Sequence, residues 1–403
     1  MEEKILKIFC NKETHLCRVG EIVEFTIIGE NITDAQITLS IDGEAVLSSE
    51  RKTLPAKVKG ALPFPGFLRC CVTADDGIKA SCGVGVEPEN ILSLAMEPDD
   101  FDLFWENTFR EFEKIPASFR KTFLKEQDHF HIYQLEIANL NDQKAYGMLA
   151  IPENANENEK VPLLVNFPGG EAFFSENGFV EYVKKVQAAM NCKTAVLLFQ
   201  LPPYSPQKDK ETASAKHQEF LQSIGEKRYV FYGLDAPERF YARSGICGCV
   251  GLLKQAAALP EIDRENIVYH GLSHGGAFGL FLACFSGVLK RAFCGVPDFG
   301  DVAGFLAGRH NTDCMAFEFR ENWQTLLYFD TSFCAKRIKI PVMIGVGFTD
   351  ELCPPTGVYA IYNALQGEKC IYNKIHHGHN DVPDGYDEAT WNFLTPDRKT
   401  QRC

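Results

Sequence analysis

The stretch Tyr269-His270-Gly271-Leu272-Ser273-His274-Gly275-Gly276 decides the fold of this chain. It lies between an apolar run, residues 267–269, and a segment of small and apolar residues, 277–283. That order predicts a strand, a very tight turn and a helix, with the pattern Gly-x-Ser-x-Gly at the turn. Such a turn strains the backbone of the serine and lifts its hydroxyl clear of the sheet, and glycines fit where strand and helix nearly touch. The pattern predicts a nucleophilic Ser273; the alternative is a glycine-rich turn with a solvated serine.

The composition indicates a large soluble protein with two domains. The chain has 403 residues, of which 45% are hydrophobic and 24% are charged. Its net charge of −13 argues against nucleic-acid or anionic-membrane partners, because no basic block offsets it. No apolar run approaches the ~18–20 residues that span a bilayer, and the acidic start lacks the apolar core of a signal peptide. We therefore expect a cytoplasmic protein.

The 15 cysteines are odd in number and scattered without a repeating spacing. Without a secretion signal they are expected to be reduced and mostly buried. Cys247-x-Cys249 and the pair Cys70-Cys71 offer metal or disulfide chemistry as an alternative, but neither has a second ligand pair at zinc-site spacing. We expect no metal and no cofactor.

Residues 1–92 show the pattern of a small all-β domain. Polar and apolar residues alternate in short segments, and the turn Asp42-Gly43 between two of them predicts a hairpin. The strand-like segments are residues 21–27, 37–41, 45–47, 67–73 and 80–86. Short strands at this spacing favour a small β-sandwich, and nothing in it suggests catalysis.

Residues 93–403 alternate apolar strand-like segments with helical ones, which indicates a mostly parallel sheet covered by helices on both faces. The strand-like segments are residues 161–167, 194–199, 267–271, 292–296, 342–347 and 370–375. Residues 133–137 and 145–151 predict an antiparallel hairpin that leads into this sheet. Residues 201–240 form a long polar insertion placed to cover the site. The chain is thus predicted to be of the α/β class, an α/β-hydrolase fold preceded by the small β-sandwich-like domain.

An acid and a histidine follow the serine in the order that this fold requires. Asp350 stands at the exit of a late strand, with Glu351 as the competing acid and helix capping as the alternative role. His379 follows a glycine after the last strand; for the whole segment 376–380 a metal cluster or a polar loop is the alternative. The order Ser273, Asp350, His379 predicts a triad in which the histidine takes the serine proton and the aspartate orients the imidazole.

The oxyanion hole should consist of two backbone N–H groups. His274 follows the serine and supplies the first, and its side chain is expected beside the pocket. The second should come from the loop after residues 161–167, from Gly170 or Glu171. A glycine at this place also has a simple turn role.

Several segments resemble the acetyl xylan esterase/cephalosporin C deacetylase family, carbohydrate esterase family 7. The resemblance covers about residues 95–395, and its most specific part is Gly347-x-x-Asp350-x-x-Cys353-Pro354-Pro355-Thr356-x-Val358, completed by Gly378-His379. Other matching segments are Asp100-Phe101-Asp102-x-Phe104-Trp105, Leu259-Pro260-Glu261-Ile262-Asp263, Tyr328-Phe329-Asp330 and Arg337-Ile338-Lys339-x-Pro341-Val342.

The resemblance implies a serine esterase that removes acetyl and other short acyl groups from acetylated sugars and related small esters. Family members are often cytoplasmic hexamers, which implies a homo-oligomer. Carried over to this sequence, the triad is Ser273, Asp350 and His379, and the oxyanion amides are those of Gly170 and His274.

The sequence departs from the family pattern at four places around this site. His274 replaces a glutamine, Gly170 replaces a tyrosine and Asn380 replaces a glutamate. The segment Phe199-Gln200-Leu201-Pro202-Pro203-Tyr204 stands where an Arg-Gly-Gln motif is expected. A β domain before a hydrolase domain also resembles acyl-CoA thioesterases, so another acyl hydrolase with the same triad is the alternative function. A non-catalytic binding protein that kept the fold is the third.

Overall fold

A computed structural model describes residues 3–116, 118–170, 173–190, 193–309 and 317–395. Within these ranges the strands form three sheets, of five, three and nine strands. The two smaller sheets contain every described strand up to Val86, and the nine-stranded sheet contains the later ones.

The two smaller sheets pack face to face around their own core. Their strands are β1 (Ile5–Cys10), β2 (Leu16–Cys17), β3 (Val23–Glu30), β4 (Asp34–Ile41), β5 (Ala45–Thr53), β6 (Ala56–Gly60), β7 (Gly66–Ala74) and β8 (Lys79–Val86). The sheet orders are β1-β3-β6 and β2-β8-β7-β4-β5. In β3, Val23, Phe25 and Ile27 are fully buried and the residues between them are not, as a strand with one face on a core requires. The predicted sandwich-like arrangement and the hairpin at Asp42-Gly43 are both confirmed.

The nine-stranded sheet forms the centre of the larger part. Its strands are β9 (Arg120–Gln127), β10 (Phe130–Ala138), β11 (Lys144–Pro152), β12 (Val161–Phe167), β13 (Ala195–Gln200), β14 (Ile262–Leu272), β15 (Arg291–Gly295), β16 (Val342–Gly347) and β17 (Lys369–Lys374). Their order is β17-β16-β15-β14-β12-β13-β11-β10-β9. The six strands from β12 to β17 run parallel, and β9, β10 and β11 are antiparallel. The predicted hairpin is β10–β11.

Helices cover both faces of this sheet. They are α1 (Phe101–Glu113), α2 (Glu176–Met190), α3 (Lys210–Ile224), α4 (Tyr241–Ala257), α5 (His274–Phe285), α6 (Phe317–Glu321), α7 (Trp323–Leu326), α8 (Thr331–Ala335), α9 (Pro355–Ala364) and α10 (Tyr386–Leu394). In β12, Leu163 and Val165 belong to the core under α4 and α5, whereas Leu164 belongs to a second core under α2 and α10. The predicted α/β-hydrolase fold is confirmed. Among the described helices, none combines the length and the apolar character needed to cross a membrane.

The smaller sheets touch the larger part at the turn that follows β16. The ring of Phe67 in β7 packs edge-on against Phe348, with centroids 5.0 Å apart. At Gly83 in β8 a Cβ would lie 2.1 Å from the Phe348 carbonyl oxygen, so the two backbones meet directly. The end of β16 is therefore covered by the N-terminal strands.

Candidate active site

Ser273 lies between β14 and α5 with φ 59° and ψ −125°. Residues that carry a side chain rarely adopt this conformation. The neighbouring strand holds it in place, because the Ser273 N–H donates to the Gly295 carbonyl at 2.9 Å and the Ser273 carbonyl accepts from the Asp298 N–H at 3.3 Å. The predicted strand, tight turn and helix are therefore present, with the serine strained as expected.

The glycines on either side of Ser273 let three backbones meet. A Cβ on Gly275 would lie 2.2 Å from the Phe167 carbonyl oxygen of β12. A Cβ on Gly271 would lie 2.6 Å from the Gly275 carbonyl oxygen. Neither distance is compatible with a side chain, so β12, β14 and α5 pack backbone against backbone here.

Asp350 and His379 form a hydrogen-bonded pair. His379 Nδ1 lies 2.8 Å from Asp350 Oδ2, and the carboxylate is fully buried. The other oxygen, Oδ1, accepts the N–H groups of Leu352 and Cys353 at 2.8 Å each. The carboxylate is therefore fixed by its own turn, and as an acceptor it selects the tautomer with hydrogen on Nδ1. The helix-capping alternative does not apply to α9, since Pro354 caps that helix without a side-chain hydrogen bond.

Ser273 and His379 line one cavity of about 780 Å³. Its walls are mostly apolar, with a few polar groups from several elements. The lining residues include the apolar or aromatic Phe174, Tyr182, Leu198, Leu352 and Val382 and the polar Asn166, Arg228 and Asp298. Arg228 belongs to the predicted insertion, which thus reaches the site as expected. Ser273 and His379 therefore face the same cavity, and Asp350 lies behind His379.

Of the two predicted oxyanion donors, Gly170 lines the same cavity, and His274 directly follows Ser273 in the chain. His274 is the first residue of α5, where N–H groups have no partner within the helix. Gly170 lines the cavity with φ 62°, and a Cβ there would meet nothing within 4 Å. The left-handed backbone, rather than crowding, thus favours glycine at this position. Glu171 lies outside the described residues.

The side chain of His274 points into the core. It is 3% exposed, its Nε2 lies 3.1 Å from the Tyr241 hydroxyl, and its Nδ1 lies 3.7 Å from Asp298 Oδ2. It also packs against the ring of Phe278. The imidazole is thus held between α4 and the segment after β15, and it does not line the cavity as the sequence led us to expect.

The three histidines near the C-terminal end of the sheet face different partners. The His376 ring packs edge-on against His15, His377 Nδ1 lies 4.0 Å from Asp381, and His379 binds Asp350. Among the described residues they do not form a group able to hold a metal ion.

Lys374 is a buried cation beneath the histidine loop. It ends β17, and its ammonium donates to the carbonyls of Gly378, His379 and Asp381 at 2.9, 3.2 and 3.0 Å. Burial lowers the pKa of Lys374, and the nearby carboxylates act in the opposite direction. The loop is tied further because the Gly378 N–H donates to Asp381 Oδ2 at 2.7 Å.

Arg69 of β7 supports the acid from the N-terminal side. Its guanidinium is 1% exposed and donates to the backbone carbonyl of Asp350 at 2.7 Å and to Asp42 Oδ1 at 3.0 Å. Asp42 in turn accepts the Thr356 N–H at the start of α9 with Oδ2, at 3.2 Å. One buried ion pair thus connects a β-hairpin of the smaller sheets with both ends of the turn from Asp350 to Thr356, which we call the acid turn.

Sequence reasoning missed Arg69 and Lys374. The signal for Lys374 is a lysine at the end of an apolar strand, directly before the histidine segment. Arg69 stands in an otherwise apolar strand, where a charge indicates a buried partner.

Comparison with known proteins identifies related acetyl esterases. The family model for acetyl xylan esterases matches residues 90–396, close to the range of the resemblance predicted from the sequence. The acetyl esterase Axe7A of Xylanibacter ruminicola is 27% identical over 327 residues, which cover 77% of this chain and 70% of that protein.

Two solved structures share the fold. The acetyl xylan esterase 1 of Thermoanaerobacterium sp. JW/SL YS485 superposes with a TM-score of 0.63 at 20% identity, covering 77% of this chain and 97% of that one. The acetyl xylan esterase of Paenibacillus sp. R4 gives a TM-score of 0.63 at 19% identity, covering 77% and 98%. Both alignments leave about a quarter of this chain unmatched.

Proposed function

Since the chain belongs to the acetyl xylan esterase family and is a carboxylic ester hydrolase, we propose that Ser273, His379 and Asp350 are its catalytic triad and that it deacetylates small acetylated sugars. The family match confirms the acetyl ester hydrolase predicted from the sequence. The observation that carries the triad is the 2.8 Å bond from His379 to Asp350 at the cavity into which the Ser273 turn opens.

In the first half of the reaction the acetyl group moves to the serine. Ser273 Oγ attacks the acetyl carbonyl carbon, and His379 Nε2 accepts the hydroxyl proton because Nδ1 already carries a hydrogen for Asp350. The buried carboxylate stabilises the imidazolium that forms. The histidine then gives the proton to the leaving sugar oxygen as the bond to the carbonyl carbon breaks.

In the second half water releases the acetate. His379 accepts a proton from water while the oxygen attacks the carbonyl carbon of the acetyl-serine, and the proton passes to Ser273 Oγ as the bond from Oγ to that carbon breaks and acetate leaves. In both halves the carbonyl oxygen becomes an anion. The N–H of His274 and an N–H of the loop that contains Gly170 are the proposed donors, and the dipole of α5 adds to them.

The cavity supports a small-molecule substrate with a polar leaving group. Its 780 Å³ exceeds the volume of an acetyl group many times and lies in the range of small-ligand sites, roughly 300–1,000 Å³. Arg228 and Asp298 add hydrogen-bonding groups suited to sugar hydroxyls. These features support an acetylated sugar as the proposed substrate class.

The nucleophile is tested by covalent labelling. A fluorophosphonate probe should label the wild-type protein and not Ser273→Ala, while the exposed control Ser223→Ala is labelled like wild type. Labelling of Ser273→Ala at the wild-type level, or an unlabelled wild type, would exclude Ser273 as the nucleophile.

The substrate is tested separately. We expect hydrolysis of p-nitrophenyl acetate and of acetylated xylo-oligosaccharides, with kcat/KM falling as the acyl chain grows beyond about four carbons. A preference for longer chains, or for acyl-CoA over sugar acetates, would contradict the deacetylase proposal while leaving the triad standing.

A further inference from the structure

Two cysteines and a histidine of the smaller sheets come together away from the proposed triad. Cys10 ends β1 in the three-stranded sheet, Cys82 lies in β8 of the five-stranded sheet, and His15 lies between β1 and β2. One sulfur or nitrogen atom from each lies within 4.8 Å of the others. The group therefore joins the two sheets of the sandwich.

The spacing of these atoms suits a tetrahedral metal ion. Zinc bonds of ~2.3 Å to sulfur and ~2.0–2.1 Å to nitrogen, at a tetrahedral angle, place the two ligand atoms ~3.6 Å apart. Cys82 Sγ lies 3.8 Å from His15 Nδ1. Thiolate and imidazole are also the ligands that zinc and similar soft ions prefer. All three atoms lie within 4.8 Å of one another, so side-chain movements of about 1 Å separate this arrangement from a tetrahedral site.

The surrounding structure holds the three side chains in place. His15 and Cys82 are buried, and Cys10 is half-buried at the open side of the group. His15 has φ 53°, which is uncommon for a residue with a side chain. Ligation replaces two present contacts, that of His15 Nδ1 with the Gly83 carbonyl at 3.0 Å and that of Cys10 Sγ with the Lys12 carbonyl at 3.2 Å.

We propose that Cys10, His15 and Cys82 bind one zinc-type divalent ion as two thiolates and one imidazole, with water as the fourth ligand. Binding releases the two thiol protons to solvent. The ion connects the two sheets and fixes the His15 ring, against which His376 packs with ring centroids 4.7 Å apart. The site therefore stabilises the sandwich and the start of the loop that contains His379. It does not depend on the proposed catalytic function.

Cobalt titration of the reduced, metal-free, full-length protein tests this site. Co²⁺ should bind with one ion per chain, produce thiolate-to-cobalt charge-transfer absorption together with the strong visible bands of a tetrahedral ion, and be displaced by Zn²⁺. Cys10→Ser and Cys82→Ser should each lose the charge-transfer absorption. The control Cys17→Ser, a half-buried cysteine of β2 outside the group, should keep it.

Thermal unfolding gives a second measurement that does not depend on colour. Zn²⁺ should raise the Tm of wild type and of Cys17→Ser, but not that of Cys10→Ser. Cys10 is half-buried, so its serine variant should fold, and hydrolysis of p-nitrophenyl acetate verifies this.

Three results would overturn the proposal. Wild type could give no thiolate–cobalt absorption, or the double variant Cys10→Ser/Cys82→Ser could keep it. Peptide mapping of protein purified without reductant could show a Cys10–Cys82 disulfide that, once reduced, still leaves the protein unable to bind Co²⁺. That last result would make the pair a redox couple instead of a metal site.

Discussion

Around Ser273 the backbone itself fills the space, whereas around His379 buried side chains hold the backbone. On the side of Ser273, the proposed nucleophile, Gly271 and Gly275 bring strands and helix into direct contact. On the side of His379, the proposed base, Asp350 and Lys374 fix their turns through hydrogen bonds to backbone groups. The first arrangement depends on the absence of side chains, and the second depends on charges placed out of water. The two sides should therefore fail in different ways when they are altered.

The largest effect on turnover is expected from the acid. Asp350→Asn keeps the shape of the side chain but no longer selects the productive tautomer of His379, so kcat/KM for p-nitrophenyl acetate should fall by roughly 10³–10⁴-fold. Circular dichroism should show an intact fold. The matched control is Glu351→Gln; if that variant shows the loss instead, the acid has been misassigned.

A methyl group added beside Ser273 should lower turnover and stability by a steric clash. In Gly275→Ala the new Cβ collides with the Phe167 carbonyl, so α5 must shift, and a displacement near 1 Å costs about 10²-fold in turnover. The Tm should fall as well, because the core is overpacked. Gly66→Ala, at the start of β7, adds the same methyl at ordinary contact distances, with the nearest atom 3.5 Å away, and should change both quantities far less. Equal losses in the two variants would show that crowding is not the cause.

Removing the Lys374 ammonium should lower turnover, because the carbonyls of the loop that contains His379 lose their hydrogen-bond donor. Lys374→Met leaves three acceptors without a donor, and we expect kcat to fall about tenfold, or ~1.4 kcal/mol, with little change in KM. Lys369 is the control, since its ammonium also donates to three carbonyls, at the end of α9. Lys369→Met should lower the Tm while kcat stays near wild type. A similar drop in kcat for both variants would reduce Lys374 to a structural role.

The smallest effect at neutral pH is expected from His270, whose protonation at lower pH reduces the free energy of unfolding. His270 in β14 is partly buried and stacks on Trp391 with ring centroids 5.0 Å apart, and desolvation lowers its pKa to about 4. The unfolded chain therefore binds the proton more readily than the folded one below pH ~6.5, so stability falls as the pH drops from about 6.5 to 4. The loss contributed by this group is at most about 3 kcal/mol, because the ring is only partly buried.

Replacing His270 should remove that part of the acid sensitivity. His270→Gln should flatten the dependence of the urea unfolding free energy on pH between 4 and 6.5. His377→Gln, near the surface, is the control and should keep the wild-type slope. An unchanged slope in His270→Gln would show that another group titrates.

Local patterns in the sequence were sufficient for the fold. The strands β12 and β16 have the predicted bounds, because nearly continuous apolar runs identify strands buried on both faces. The Ser273 turn follows from its glycines, since backbone packing at this density excludes other residues. Asp350 and His379 meet as predicted, because strand ends at one edge of a parallel sheet lie close together. Their catalytic role stays a proposal.

Contacts between distant segments could not be predicted. Arg69 and Cys82 belong to the smaller sheets, and no spacing in the sequence relates them to Asp350 or to Cys10. The direction of the His274 side chain depends on Tyr241 of α4, which is not visible from the motif around the serine. These contacts depend on how the sheets and helices pack against one another. The spacing of apolar residues in the sequence predicts only the individual strands and helices.

The bond between Arg69 and the Asp350 carbonyl joins residues 281 positions apart, which bears on the order of folding during synthesis. At about 5–20 residues per second, the ribosome needs roughly 15–55 s to pass from one to the other. The sandwich strands thus leave the ribosome long before their partner turn exists. In that interval Asp42, only 27 positions away, is the carboxylate that can keep the Arg69 charge paired. The acid turn of the site is consequently one of the last parts of the molecule to be completed.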